Sequence, residues 1–404
     1  MKLQKAVLAM AAALVFGGVV CAEETTTEAP DTGVQATEEA AADGQEAAKQ
    51  LSEKWTDFQL QVDGVVYQFP MMYADWAALG WTTDAENLET VLEPYQYTTV
   101  RFTKDNEKCT AYILNLGINN MPVEECIVGG MTIDSYDWDL TEGEVVLPGG
   151  LVRGQADLAA IEAAYGTPSD TYEGDLYTKY TYEMDYNSTY ELEVFKESGV
   201  LEYIAVENFV EPEGFDAGEA SEEVPEAVTA YQKPAELSTD LTAYEIELDG
   251  QVYALPVPVS TLLADGWELI PSDTDKVIMA NYYGWAGLMK GGQKFSTTIH
   301  NEEDYATIPE NCWIDTIEVG GYDLELDGAL PGGVRVGITE EEFLTILENA
   351  GIEYELTSES GDFKYYRYNN ADYGHYCEVI IYAGDDGHFP VNTIMKVACS
   401  NEFE

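Results

Sequence analysis

The stretches VDGVVYQFP, Val62–Pro70, and LDGQVYALP, Leu248–Pro256, decide the architecture of this chain. Asp63, Gly64, Val66, Tyr67 and Pro70 of the first recur 186 positions later as Asp249, Gly250, Val252, Tyr253 and Pro256. The same spacing carries Gly80-Trp81 onto Gly266-Trp267 and Cys126 onto Cys312. After a three-residue deletion, LPGGLVRG at Leu147–Gly154 meets LPGGVRVG at Leu330–Gly337. A register held over so many positions marks an internal duplication, and two copies of this length make tandem domains rather than a solenoid.

Each copy reads as α+β. FQLQVDGVVYQF, Phe58–Phe69, alternates apolar and polar residues around an Asp-Gly turn, the pattern of a hairpin with one buried face. A short helix follows, with Trp76, Ala77 and Leu79 in the first copy and Leu262 and Leu263 in the second. Gly80 or Gly266 stops it. Strands rich in Tyr and Thr come next. After the LPGG element the second copy reads ITEEEFLTILENAG, Ile338–Gly351, where Thr339 and Glu342 form a capping box and Glu340 and Glu341 suit the positive helix end. Phe343, Leu347 and Ala350 are its expected buried stripe. The first copy has Leu158, Ile161 and Tyr165 before Gly166, and long strands such as DLYTKYTYEM close the copy. The expectation is two duplicated domains, each of antiparallel sheet with short helices packed on one face.

A glycine, often a Thr two residues later, an apolar helix, then Gly-x-Pro and a run of antiparallel strands resembles the unit of the small-protein-A outer-membrane lipoproteins and the β-lactamase inhibitor proteins. The matching residues are Gly154, Gly166 and Pro168 in the first copy and Gly337, Thr339, Phe343 and Gly351 in the second. The first copy lacks the Thr and the second lacks the Pro, and the likeness covers the latter half of each copy. It implies a non-enzymatic fold whose sheet meets other proteins, and it carries over no contact residues.

Outside the copies, composition changes. Residues 1–22 have the build of an export signal: Lys2 and Lys5, an apolar run from Ala6 to Val20, then Val20 and Ala22 at the cleavage positions, so that the mature chain begins at Glu23. Cys21 offers lipid anchoring as the alternative, and the apolar run is short for a membrane span. Residues 23–53 are rich in Ala, Thr and Glu without aromatic anchors, a disordered acidic tether. Residues 211–240 share the bias and read as an acidic linker, leaving 54–210 and 241–404 as the repeat domains.

With 76 acids against 18 Lys and Arg, the formal charge of −58 excludes nucleic acid and disfavours anionic membrane surfaces, because both need cations from the protein. The LPGG loops lack the Lys and Ser or Thr of a phosphate cradle, and the helices after them start with acids that repel an anion. They read as turns. DLELDG, Asp323–Gly328, opens like a calcium loop but has Val334 where the twelfth position needs Glu. His300, His375 and His388 show no zinc spacing, and no nucleophile elbow or cofactor motif is present, so neither metal nor cofactor is expected.

Cys109 and Cys126 flank a turn near Gly117, and Cys377 and Cys399 flank His388. In regular hairpins each pair would stand close enough to bridge, leaving Cys312 opposite Phe295 as a lone thiol. Among 28 tyrosines, the glycine-loosened NYYGWAG segment supplies the ligand-contact candidates Tyr282, Tyr283 and Trp285. The chain therefore reads as a secreted, non-enzymatic protein that binds an extracellular protein or peptide. A carbohydrate or cell-wall module is the alternative, and a carboxylate-dependent hydrolase the second.

Overall fold

The computed structural model describes residues 50–404, apart from residues 106, 135–142, 322–325, 373, 385–386, 388 and 404. The export signal with Cys21, nearly all of the expected tether, His388 and most of the DLELDG stretch lie outside the described residues. The chain divides into two units, one of residues up to Leu116 with Pro122–Phe215, the other of Gly117–Met121 with Asp216 onward.

The first unit begins with β1 (Gln59–Val62) and β2 (Val65–Gln68), paired antiparallel across Asp63 and Gly64, whose φ values of 47° and 82° are those of a tight hairpin turn. Helix α1 (Tyr73–Ala78) follows and buries Trp76. Strands β3 (Tyr97–Lys104), β4 (Glu107–Leu114) and β5 (Ile127–Ile133) come next. Helix α2 (Leu158–Tyr165) precedes β6 (Tyr177–Asp185), β7 (Ser188–Phe195) and β8 (Leu201–Asn208). The six strands form one antiparallel sheet in the order β6-β7-β8-β5-β4-β3, extended beyond β6 by Asp170–Glu173. Tyr67, Trp76, Trp81 and Phe102 fill the interior, with the two indoles stacked at 5.1 Å and Trp81 Nε1 donating to Tyr67 Oη at 3.1 Å. Each ring thus buries a large apolar area, and the hydroxyl finds a donor.

The LPGG element turns strand onto strand rather than strand into helix. Gly149 and Gly150 take φ of 74° and 77°, and Leu151 and Val152 pair back onto Leu147 and Val146. Helix α2 starts later, under Asp157, whose Oδ1 accepts from Ala160 N at 2.9 Å.

The second unit repeats this plan. Strands β9 (Glu245–Leu248) and β10 (Gln251–Ala254) form the hairpin, α3 (Val259–Ala264) follows, and Gly332 and Gly333 turn the second LPGG at φ 72° and 88°. Helix α4 (Glu340–Ala350) carries the expected capping box and ends at left-handed Gly351. Its buried stripe is Phe343 and Leu347; Ala350 is exposed.

Here the large sheet is divided. One sheet holds β11 (Tyr283–Lys290), β12 (Gln293–His300) and β13 (Trp313–Ile314), flanked by two-residue strands. The other holds β14 (Thr316–Gly320), β15 (Phe363–Asp372), β16 (His375–Tyr382) and β17 (Thr393–Asn401), with Tyr354–Ser360 at its edge.

Residues 211–240 are not a free linker. From Asp216 they belong to the second unit, where Ser221 N donates to Ala306 O at 2.7 Å, Asn311 Nδ2 to Glu223 O at 3.0 Å and Tyr231 Oη to Ala254 O at 2.9 Å. Val228 in the short helix Glu226–Ala230 is buried. Acidic composition suggested a spacer, but Val228 and Tyr231 are enough to anchor it.

Candidate functional site

The two units part company at one dipeptide. In the first, β5 passes through Gly129 and Gly130 without a break. A methyl group on Gly130 would stand 1.9 Å from Val206 O, and one on Gly129 2.3 Å from Leu114 Cδ1. Only glycine lets β4, β5 and β8 close this tightly. At the 186 spacing the counterparts are Asp315 and Thr316. With these side chains in place the strand is divided into β13 and β14 at Asp315, and Thr316 keeps the pairing to the last strand, at Ser400, that Gly130 makes at Glu207.

Strand pairing is lost beyond the split. Thr110↔Thr132, Ala111↔Met131 and Tyr112↔Gly130 join β4 to β5 in the first unit, whereas β12 and β13 pair only at Ile299↔Ile314 and His300↔Trp313. Where Ser296, Thr297 and Thr298 would meet Glu318, Ile317 and Thr316, a cleft of about 570 Å³ opens instead. Trp285, Lys294, Ser296, Thr298, Glu318 and Lys396 line it, and Thr297 Oγ1 donates to Thr316 O at 2.9 Å, a side-chain bond from β12 to β14.

The backbone of β12 is presented to this cleft. Lys290 and Gln293 flank a two-residue Gly291-Gly292 turn at positive φ and are therefore a hydrogen-bonded pair, so bonding to β11 alternates from Gln293 onward. Lys294, Ser296 and Thr298 then direct their N–H and C=O groups away from β11, into the cleft. Among the described residues no strand takes them up.

Of the segment singled out in the sequence, Trp285 stands 58% exposed at the cleft, opposite Thr298 on the neighbouring strand. Tyr283, two residues earlier on the same face, is 53% exposed and stacks on its cross-strand partner His300 at 4.0 Å and 9°. Tyr282 precedes the strand and is half-buried, outside this row.

Beside the Tyr283–His300 stack lies a set of acids for which the first unit has no equivalent. At the 186 spacing, Leu114, Leu116 and Gly129 become His300, Glu302 and Asp315. Asn208 and Asn401 both donate Nδ2 to the backbone oxygens of counterpart residues, Phe69 at 2.9 Å and Leu255 at 2.6 Å, so the residues after them, Phe209 and Glu402, correspond too. Leu114, Leu116, Ile127 and Phe209 form a small apolar core in the first unit. The second unit holds His300, Glu302 and Glu402 in place of Leu114, Leu116 and Phe209, and Trp313 in place of Ile127.

Asp315 is 2% exposed, and its Oδ1 has no hydrogen-bond partner. Burial first, then the charges of Glu402 and Glu302, push its carboxyl up to about 7. Burial likewise raises Glu302 and lowers His300, which a backbone hydrogen bond at Asn281 partly restores. Glu302 Oε1 approaches His300 Nδ1 to 2.6 Å without hydrogen-bond alignment. Tyr283 is raised by burial and by Asp315, Glu402 and Glu302.

The 186 spacing exposes His300, Glu302 and Asp315 to anyone comparing the copies, but not Glu402, because insertions shift the last strand. That Asp315 is buried was invisible in either case.

The cysteines follow a different plan from the expected one. The register of β4 on β5 places Cys109 and Cys126 at opposite ends of the pair, roughly 20 Å apart at the rise of a strand. Cys126 Sγ instead donates to Pro122 O at 3.3 Å. Phe295 faces Leu288, not Cys312, which is buried and contacts Ile308 O at 3.6 Å. Cys377 and Cys399 are direct cross-strand partners, their sulfurs 4.0 Å apart and both thiols free.

A second carboxyl pair lies in the first unit. Glu107 is pushed up to about 7 by burial and by its hydrogen bond with Asp63, whose own value that bond lowers. The counterpart of Glu107 is Gln293. Among the described residues, no group of His, Cys, Asp or Glu is arranged to hold a metal ion, and no helix is long and apolar enough to cross a membrane.

Comparison of the chain with protein-family models, with curated proteins and with solved structures found no match.

Proposed function

We propose that this is a secreted, non-enzymatic recognition protein whose second unit takes an extended peptide segment of a partner protein into the cleft between β12 and β14. The observation that carries this reading is the unpaired β12 edge: Lys294, Ser296 and Thr298 offer outward backbone groups along a stretch where the first unit pairs Thr110, Ala111 and Tyr112 with β5. An added strand satisfies such groups by main-chain hydrogen bonds, and side-chain pockets on either side supply selectivity. Trp285 provides a rigid anchor at the mouth. The resemblance to proteins whose sheets meet partner proteins supports the same reading.

Selection of linear peptides from a displayed library on the full chain tests it. A selected peptide should lose binding when alternate residues are N-methylated, and Ser296→Pro should abolish binding while leaving the β11–β12 hairpin folded, because that N–H points away from β11. Peptide binding indifferent to both changes would overturn strand addition.

Trp285 in a cleft that Ser296, Thr298 and Thr316 also line favours the carbohydrate reading as well. A glycan would bind with equal strength to Ser296→Pro and be lost on Trp285→Ala, which separates the two.

A further inference from the structure

From the Asp315 cluster we infer that the second unit contains a recognition site for an organic cation, the side chain of a lysine or arginine presented by a partner. Asp315 forms the buried floor, Glu302 and Glu402 the acidic rim, and Tyr283 the exposed aromatic wall, with Phe403 packed 5.9 Å from the His300 ring.

A carboxylate taken out of water with an oxygen left unbonded is destabilising, and two further carboxylates nearby add repulsion. The first unit shows that the same fold fills this place with Leu114, Leu116, Gly129 and Phe209 at no such cost. Among the described residues, no lysine or arginine charge offsets Asp315: its environment is burial, Glu402 and Glu302. His300 does not serve either, since burial favours its neutral form. At low pH a proton neutralises Asp315; once it ionises, above about pH 7, no lysine or arginine among the described residues supplies the opposing charge, and a cation from outside the chain would. A metal ion needs several ligands converging on one point, an arrangement these residues do not form. A cation on an aliphatic stem needs less: a buried carboxylate to pair with, acidic groups at the rim, and an aromatic face for the stem and charge. All three are present. The groups around Asp315 are Glu402 and Glu302, whose charges act on it, Tyr283, and His300 stacked on Tyr283; the site gains negative charge as pH rises through about 7, where Asp315 itself ionises.

This inference does not require the peptide reading, and its test uses a ligand too small to add a strand. N-acetyl-lysine methylamide is titrated into the full chain by ligand-observed NMR at pH 8, alongside the same compound acetylated on its ε-nitrogen. Saturable binding of the charged compound alone is expected, weakened about tenfold or more in Asp315→Asn, as for loss of a charged hydrogen bond. Binding should also weaken at pH 6 and be unchanged in Ser296→Pro. Equal binding of the neutral compound, no binding of either, undiminished binding to a folded Asp315→Asn protein, or displacement by stoichiometric calcium would each overturn the site. Retention of lysine binding with loss of peptide selection would leave this inference standing and remove strand addition.

Discussion

Trp285 and Thr298 stand directly opposite one another on β11 and β12, and the face they share opens onto the cleft. Because Trp285 is 58% exposed, Trp285→Ala should change folding stability by less than about 0.5 kcal/mol, the usual range for surface positions. Its effect on a cleft ligand should be large, about 2 kcal/mol or more, if it is the anchor. Parallel denaturant unfolding and binding measurements check this, and a variant that loses stability and binding together would mark Trp285 as structural.

Asp315 and Glu107 make stability depend on pH. Both carboxyls stand at about 7 in the folded protein and near 4 when unfolded, so between those values the folded state holds more protons. Stability is therefore full below about pH 4 and falls as pH rises to about 7, by up to about 4 kcal/mol for the nearly inaccessible Asp315. Asp315→Asn and Glu107→Gln should each flatten this dependence and stabilise the protein at pH 8. Unfolding midpoints at pH 5 and pH 8 that shift equally in wild type and variants would contradict the assignment.

The second LPGG turn separates strain from crowding. Gly333 takes φ 88° with open space around it, whereas a methyl group on Gly332, at φ 72°, would stand 2.6 Å from Leu241 Cδ2. Gly333→Ala should cost about 1 kcal/mol of backbone strain, and Gly332→Ala distinctly more. Thermal unfolding of the two variants gives the order, and a reversed order would show that Leu241 yields easily.

Cys377 and Cys399 should form the one disulfide that mild oxidation can make among the described cysteines. Their sulfurs are 4.0 Å apart on paired strands, while Cys109, Cys126 and Cys312 are buried apart. Treatment with oxidised glutathione followed by non-reducing digestion should yield a Cys377–Cys399 cross-linked peptide. A Cys109–Cys126 peptide in its place would refute the strand register.

Much of this molecule was legible in the amino-acid sequence, because its signals are local. The Asp-Gly hairpins, the Thr339–Glu342 capping box and the glycine turns follow from which residues tolerate positive φ or can bond the first turn of a helix. The 186-residue spacing determined the duplication by itself. Long-range pairing was not local and could not be read. A cysteine near a turn says nothing about register, so Cys109 and Cys126 looked like partners until β4 and β5 were aligned. The acidic stretch 211–240 looked like a spacer because composition does not show where Val228 is buried. Most of all, replacing Gly129-Gly130 by Asp315-Thr316 reads as one small change among many. Only the folded sheets show that those glycines sit where a side chain would collide with neighbouring strands, and that in the second unit the strand is divided at this point, with a cleft beside β12 and a carboxylate buried at Asp315.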